Sequence, residues 1–259
     1  MLKIDALIDL FFKELPWDQR VARIAECGYR YIETWQGGNA EVLKQIGDAG
    51  KTCGVELVSI VLNSPGDPKT APVAAENLQR FVEQIDRNAD NALAAGCRQG
   101  IITTGPSVSG RSYSAQKQAL VEAVRAAGEC VGKKGFRLNL EPLNTEVDHP
   151  GYFLSSREDS VAIVKEVALD NVRLLYDIYH MDIMFGNQTA FIEANIGSIG
   201  HFHSAGIPGR HELFDGETNY PFLAQRIART TYDGYFGLEY MPLLESRESL
   251  TRTLSLLTV

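Results

Sequence analysis

No uninterrupted apolar stretch approaches the roughly 18 residues that a membrane-spanning helix requires, so no membrane segment is expected. Cysteine is scarce: Cys27, Cys53, Cys97 and Cys130 stand far apart and form no C-x-x-C pair. Metal or disulfide use stays open in principle, but small, buried, reduced thiols are the expectation. Basic charge is also short. Lys and Arg number 25 against 33 Asp and Glu, a formal net charge of −8, which argues against a phosphate-backbone partner and so against nucleic acid. Neither G-x-G-x-x-G nor G-x-x-x-x-G-K-[ST] occurs, which removes two common phosphate cradles. No linker, low-complexity tract or charge run divides the chain, so residues 1–259 are read as one domain. The apolar start MLKIDALIDLFF is broken by Asp5 and Asp9 and no small-residue cleavage site follows, so the expected location is the cytoplasm. The remaining composition is that of an ordinary globular protein, and it is compatible with a homo-oligomer.

What is present is alternation. Short apolar runs rich in β-branched and aromatic residues begin at Lys3, Tyr29, Val55, Arg98, Phe136, Val172, Ile199 and Tyr235. Longer amphipathic patterns follow them, from about Pro16 to Gly28, Asn39 to Cys53, Val73 to Ala95 and Ser112 to Lys134. The series continues with Ser156 to Val167, Thr189 to Asn195, Tyr220 to Arg229 and Glu245 to Leu256. Eight strand-helix repeats predict an α/β fold, a (β/α)8 TIM barrel. A doubly wound open sheet usually has fewer strands and a glycine-rich first turn, and neither fits.

In such a barrel the chemistry sits at the C-terminal ends of the strands. There the chain places Glu33 on strand 2, Glu141 on strand 5, Asp177 on strand 6, His203 on strand 7 and Glu239 on strand 8. A carboxylate inside an apolar run is costly unless it is paired or binds a cation. Asp177 alone would read as a helix cap, but four ionisable residues on consecutive strands form an arc around one mouth. Three carboxylates and an imidazole suit Mn2+, Mg2+ or Co2+ better than a thiol-rich zinc site. Glu33, set apart on strand 2, either lines the pocket or pairs with a neighbouring Lys or Arg. His180 follows Asp177 by three residues and faces the same mouth. His201 alternates with His203, one layer deeper, as a hydrogen-bonded core histidine. The loop after strand 7 carries Arg210 and His211, with Arg210 fixed behind a Pro-Gly pair, and the loop after strand 5 carries Glu146 and His149.

The segments NLEPLNT, LLYDIYHMDIM, IGHFHSAGIPGRHE, GETNY and GLEYMP resemble the hydroxypyruvate isomerase family. That family sits within the xylose-isomerase-like TIM barrels, beside ketose 3-epimerases and inosose isomerases. The resemblance implies a divalent metal on Glu141, Asp177, His203 and Glu239, with Glu141 and Glu239 as proton carriers. It further implies that His180, Arg210 and Glu146 address the oxygens of the substrate. Hydroxypyruvate isomerases typically carry a glutamine as third ligand, whereas this chain has His203, as ketose epimerases do.

The expected reaction is isomerisation of a small unphosphorylated α-hydroxy carbonyl compound through a cis-enediolate, with hydroxypyruvate going to tartronate semialdehyde. Return of the proton to the opposite face of the same carbon would instead make a ketose 3-epimerase of tagatose, allulose or ribulose type. A phosphorylated substrate fits less well, because MPLLES after strand 8 lacks the glycine of a phosphate loop. Two other classes, an abasic-site nuclease and a barrel that only binds, are opposed by the negative charge and by the intact ligand set respectively.

Overall fold

Eight short apolar runs become eight parallel strands, and the sheet they form closes on itself. The computed structural model describes residues 2–64 and 66–258. The strands are β1 (Lys3–Leu7), β2 (Tyr31–Thr34), β3 (Glu56–Val61), β4 (Gln99–Ile102), β5 (Arg137–Leu140), β6 (Val172–Asp177), β7 (Ile199–Ser204) and β8 (Tyr235–Leu238). They pair in chain order, and β8 returns to β1 through Lys3 opposite Tyr235. The surrounding helices are α1 (Trp17–Glu26), α2 (Ala40–Cys53), α3 (Leu78–Ala94), α4 (Tyr113–Gly132) and α5 (Arg157–Val167). They continue with α6 (Ile178–Phe185), α7 (Gln188–Asn195), α8 (Tyr220–Ala228) and α9 (Ser246–Leu257). The fold is the TIM barrel that the alternation predicts. Among the described residues, no helix is long and apolar enough to cross a membrane.

Local chemistry sets the helix ends. The Asn39 side chain accepts the Val42 N–H to start α2, and Gly54, at a φ of 69°, ends it. Ser112 and Ser156 cap α4 and α5 in the same way. Buried Ile24, Leu43, Ile85 and Leu120 seal helices against strands, each worth about 1.5–3 kcal/mol of burial.

Three expectations shift. The apolar run KIDALIDLFF that starts at Lys3 yields a strand of only five residues, because the chain turns away from the sheet after Ile8, with Leu10, Phe11 and Phe12 buried and Phe11 edge-on against Tyr240. The helix expected from Val73 begins with a 3-10 turn over Ala75–Asn77. The segment after β6 holds two helices rather than one. The first of them, IYHMDIMF, is apolar on most faces and so shows no helical period.

Two register shifts matter for the interior. One lies in the β2–β3 pairing at Ile32/Glu33, the other in β6–β7 at Leu174/Leu175. The inside of the barrel is polar where such barrels are usually filled by branched apolar residues. Asp5, Glu33, Ser59, Gln99, Asn139 and His201 are all buried there. A concavity of about 880 Å3 lies at the other end, around the starts of β3, β4 and β5. In this architecture that face serves stability rather than chemistry.

Candidate active site

All strands are parallel, so their C-terminal ends meet at one mouth. The backbone N–H groups of Glu141 and Glu239 donate to Ile102 and Ser204 across the sheet, so these two carboxylates stand on the ladder rather than on free loops. Asp177 divides its work. Its Oδ1 accepts the Tyr179 N–H and caps α6, while Oδ2 is buried without a hydrogen-bond partner and turns to the mouth. His203 Nδ1 lies 3.1 Å from Glu239 Oε2 and 3.8 Å from Glu141 Oε1. Ligand atoms of Glu141, Asp177, His203 and Glu239 all fall within 4.8 Å of one another. Three oxygens and one imidazole nitrogen, with an orphaned carboxylate oxygen among them, fit a divalent cation.

Charge is crowded here. Burial, reinforced by Glu239, pushes the Glu141 carboxyl well above its ordinary range. Burial pushes Asp177 up to about 6 against the pull of Arg210. Glu239 goes the other way: burial resists, but Arg210 and His203 hold it ionised. Arg210 supplies the counter-charge, with Nη2 2.5 Å from Glu239 Oε2 and 3.6 Å from Asp177 Oδ2. Its loop is closed by paired hydrogen bonds between Gly206 and His211, its carbonyl accepts the Met241 N–H, and its guanidinium lies over the Tyr179 ring.

His180 is buried beside Asp177, its Nε2 3.4 Å from Oδ2. The Asn144 Oδ1 accepts backbone N–H groups of Val147 and Asp148, so its Nδ2 must be the donor to His180 Nδ1 at 2.6 Å. His180 therefore carries its proton on Nε2, toward the site. Burial, with Arg210 beside it, holds the ring neutral, and a neutral N–H donor suits a substrate oxygen.

The cavity over this cluster is about 540 Å3 and is lined by Glu141, His180, Arg210 and Glu239 on one side and by Asn63, Thr103 and Trp35 on the other. His149 also lines it. His211 does not, and its Nδ1 bonds to the Met241 carbonyl instead. Glu146 is not brought to the cavity: the Asn144-capped turn after β5 leaves it exposed to solvent. Glu33 is placed beneath the cavity rather than in its wall. Its partners are His203 at 3.0 Å and His201 at 3.2 Å, not a Lys or Arg. Burial resists ionisation of Glu33, but the two histidines hold its carboxyl at about 2. Asp5, fully buried, is pushed well above the usual range by burial and by Glu33.

Trp35 carries no signal in the sequence. Its indole N–H donates to Glu239 Oε1 at 3.0 Å, although it sits in the turn after β2, on the far side of the mouth in chain order. Asp9 anchors that turn, accepting from Thr34 Oγ1, the Trp35 N–H and Gln36 Nε2 at 2.7–3.0 Å. The only hint was a carboxylate, Asp9, in an apolar run.

With this geometry in hand, comparison with known proteins is specific. Residues 21–255 match the model of the xylose isomerase-like TIM barrel. A 2-oxo-tetronate isomerase of Haemophilus influenzae is 30% identical over 249 residues, covering 93% of this chain and 94% of the relative. The hydroxypyruvate isomerase of Escherichia coli K12 is 28% identical, covering 93% and 94%. The crystal structure of an AP endonuclease, family 2, from Brucella melitensis superposes with a TM-score of 0.89 at 30% identity, covering 98% of this chain and 99% of that one. The closed barrel and the matched span agree, and the chain belongs to the xylose isomerase-like TIM-barrel family.

Proposed function

We propose that the protein is a divalent-cation-dependent isomerase of small, unphosphorylated 2-oxo-3-hydroxy acids, moving the carbonyl between C2 and C3. Hydroxypyruvate and its four-carbon homologue 2-oxo-tetronate are the leading substrates, in keeping with the relatives' names. The observation that carries the reading is the Glu141–Asp177–His203–Glu239 cluster with the Arg210 guanidinium set against it. Arg210 offers the fork that a substrate carboxylate accepts with two parallel hydrogen bonds. The −8 charge and this acidic mouth oppose a nucleic-acid backbone as substrate.

The four cluster residues would hold Mn2+, Mg2+ or Co2+, which when bound would lower the energy of negative charge developing on the substrate oxygens. The protein's own groups do the rest. Arg210 orients the carboxylate, and the His180 Nε2–H donates to a substrate oxygen. Glu239, held ionised, removes the C3 proton, and the electron pair forms an enediolate across C2 and C3. Glu141, whose surroundings favour its protonated form, delivers a proton to C2. The C3 hydroxyl proton passes to the C2 oxygen, which leaves the carbonyl on C3 and a hydroxyl on C2, and proton exchange with solvent resets the two carboxyl groups. No net oxidation occurs and no organic cofactor is required. A pair of carboxyl groups with proton affinities pushed apart is suited to such a relay.

The test is deuterium incorporation and product analysis with hydroxypyruvate and 2-oxo-tetronate, in metal-stripped enzyme to which Mn2+ is returned. Absence of turnover and exchange on both acids removes this reading. A second reading, ketose 3-epimerase, is favoured by histidine rather than glutamine at 203. Exchange at C3 of tagatose or ribulose with inversion and no carbonyl shift would select it.

A further inference from the structure

Glu33 is an acid with no place in the chemistry above, buried to 1% exposure one layer beneath the mouth. The β2–β3 register shift falls at Ile32/Glu33, and an irregularity of this kind re-aims a side chain. Glu33 is aimed at His203, 3.0 Å from Nε2, while Nδ1 of the same ring faces Glu239 and Glu141. A carboxylate only accepts, so Nε2 is a donor to Glu33; Nδ1, 3.1 Å from Glu239 Oε2, would lose its proton when a cation binds there. Two further features hold the contact. The Gln99 side-chain amide donates to His201 Nδ1 at 3.2 Å, which puts the His201 proton on Nε2, 3.2 Å from Glu33 as a close polar contact without hydrogen-bond geometry. On β8, Gly237 leaves room: a Cβ there would stand 2.5 Å from Glu33 Oε1 and 2.7 Å from His203 Cδ2.

We propose that Glu33 is a positioning residue of the cation site: it takes the Nε2–H of His203 and so fixes the ring with Nδ1 presented to Glu141, Asp177 and Glu239. The chain Gln99–His201–Glu33–His203 crosses the barrel from β4 through β7 and β2. It transmits the rigidity of the sheet to a ligand that would otherwise swing about its side-chain torsions. Glu33, His201 and His203 also come close enough to form a cation site of their own. The amide of Gln99 argues against that, because it leaves His201 Nε2 as a donor rather than a ligand. This inference rests on reading the four strand-end residues as a cation site, and its test does not depend on turnover.

Mn2+ affinity is measured from the free-ion paramagnetic resonance signal in metal-stripped wild type and Glu33→Gln, alongside thermal unfolding of both. Gln replaces the charged acceptor of the His203 Nε2–H by a neutral amide, so Glu33→Gln is expected to bind Mn2+ about 10–100-fold more weakly. Turnover at saturating Mn2+ should recover to within several-fold of wild type. Equal affinity in the two proteins overturns the proposal. Should Glu33→Gln not fold, Gly237→Ala displaces the same pair without removing an acceptor and is expected to weaken Mn2+ binding likewise. Histidine nitrogen resonances of the Mg2+-loaded wild type give a further readout. A protonated Nε2 and bare Nδ1 on His203 are expected, and the reverse tautomer overturns the proposal. Two Mn2+ per chain, one lost in Glu33→Gln, overturns it in favour of a second cation site. A wild type that binds no divalent ion removes the cation site along with it. Tight Mn2+ binding without isomerisation removes the proposed reaction alone and leaves the role of Glu33 standing.

Discussion

The two halves of the barrel mouth are built from different chemistry. Strands β5 to β8 end in Glu141, Asp177, His203 and Glu239, and every one is ionisable. Strands β1 to β4 bring neutral groups to the same cavity, the Trp35 indole, Asn63 and Thr103. Their buried acids, Asp5 and Glu33, sit a layer lower and face His201 and His203. One half concentrates charge where bonds would change, and the other supplies wall and support. Concentrated charge is costly, which is why burial pushes Glu141 and Asp177 up while Arg210 holds Glu239 down. A bound cation would offset that cost, and the neutral half would keep a substrate from meeting a ring of like charge.

The sharpest way to break this division is to neutralise the charged half. Glu239→Gln and Glu141→Gln should each lower kcat by about 10²–10⁴, the range of a general acid or base. Both should keep measurable Mn2+ affinity, since the amide still offers an oxygen. Asp177→Asn should lose Mn2+ affinity and turnover together while circular dichroism stays native. Near-normal kcat in both glutamine variants would remove those carboxylates from proton transfer.

The same division decides what could be read in advance. Asp177 at the end of LLYD is legible because an acid is expensive in an apolar strand and its neighbours on β5, β7 and β8 repeat the expense. The barrel itself is legible because eight buried strands leave eight apolar runs. Trp35 is not, because an aromatic after a strand is ordinary, and its bond to Glu239 exists only once the barrel closes β8 onto β1. Glu33 shows its charge but not its depth, which depends on a one-residue register shift that periodicity does not reveal. The turn after β1 is hidden because Ile8, Leu10, Phe11 and Phe12 are as buried as the strand they follow.

Arg210 is the next test of the charged half. A guanidinium forks onto a carboxylate, whereas an ammonium makes one contact. Arg210→Lys should therefore lower kcat/KM for hydroxypyruvate or 2-oxo-tetronate by tens-fold, at about 1.4 kcal/mol per tenfold. A neutral ketose should lose much less. Equal losses on acid and ketose would detach Arg210 from carboxylate recognition, and activity confined to the ketose would select the epimerase.

From the neutral half, Trp35→Phe keeps an aromatic wall and deletes only the N–H to Glu239. A net hydrogen bond of about 0.5–1.5 kcal/mol corresponds to a loss of roughly 2–10-fold in kcat/KM. The chain has two tryptophans, so Trp35 emission can be followed in a Trp17→Phe background, where Mn2+ should quench it. An unquenched signal would place the indole away from the cation.

A smaller effect appears in stability. Asp177, pushed up to about 6 by burial, keeps its proton in the folded metal-free protein at pH values where the unfolded chain has lost it. That contribution is present below about pH 4 and is lost as pH rises through about 6. His180 and His201, both held neutral by burial, pull the opposite way as pH rises toward the ordinary imidazole range. The informative quantity is thus the Tm of chelator-treated wild type minus that of Asp177→Asn. It should fall by a few degrees between pH 5 and pH 7, and a flat difference would show that Asp177 is not strained.

The smallest effect is expected at Glu146, and it separates resemblance from geometry. The family pattern implies that Glu146 addresses substrate oxygens, yet the turn after β5 leaves it in solvent. That turn is not loose. Asn144 accepts two of its backbone N–H groups and donates to His180 and Asp148, so moving Glu146 inward would release the bond that sets the His180 tautomer. His149, from the same turn, already lines the cavity wall. Glu146→Gln should accordingly leave kcat/KM within about twofold of wild type, as surface substitutions do. A loss of tenfold or more would mean that the β5 turn refolds over bound substrate and that the cavity described here is its open form. His149→Ala distinguishes the two cases, because it should cost activity if the wall is as observed and little if Glu146 replaces it.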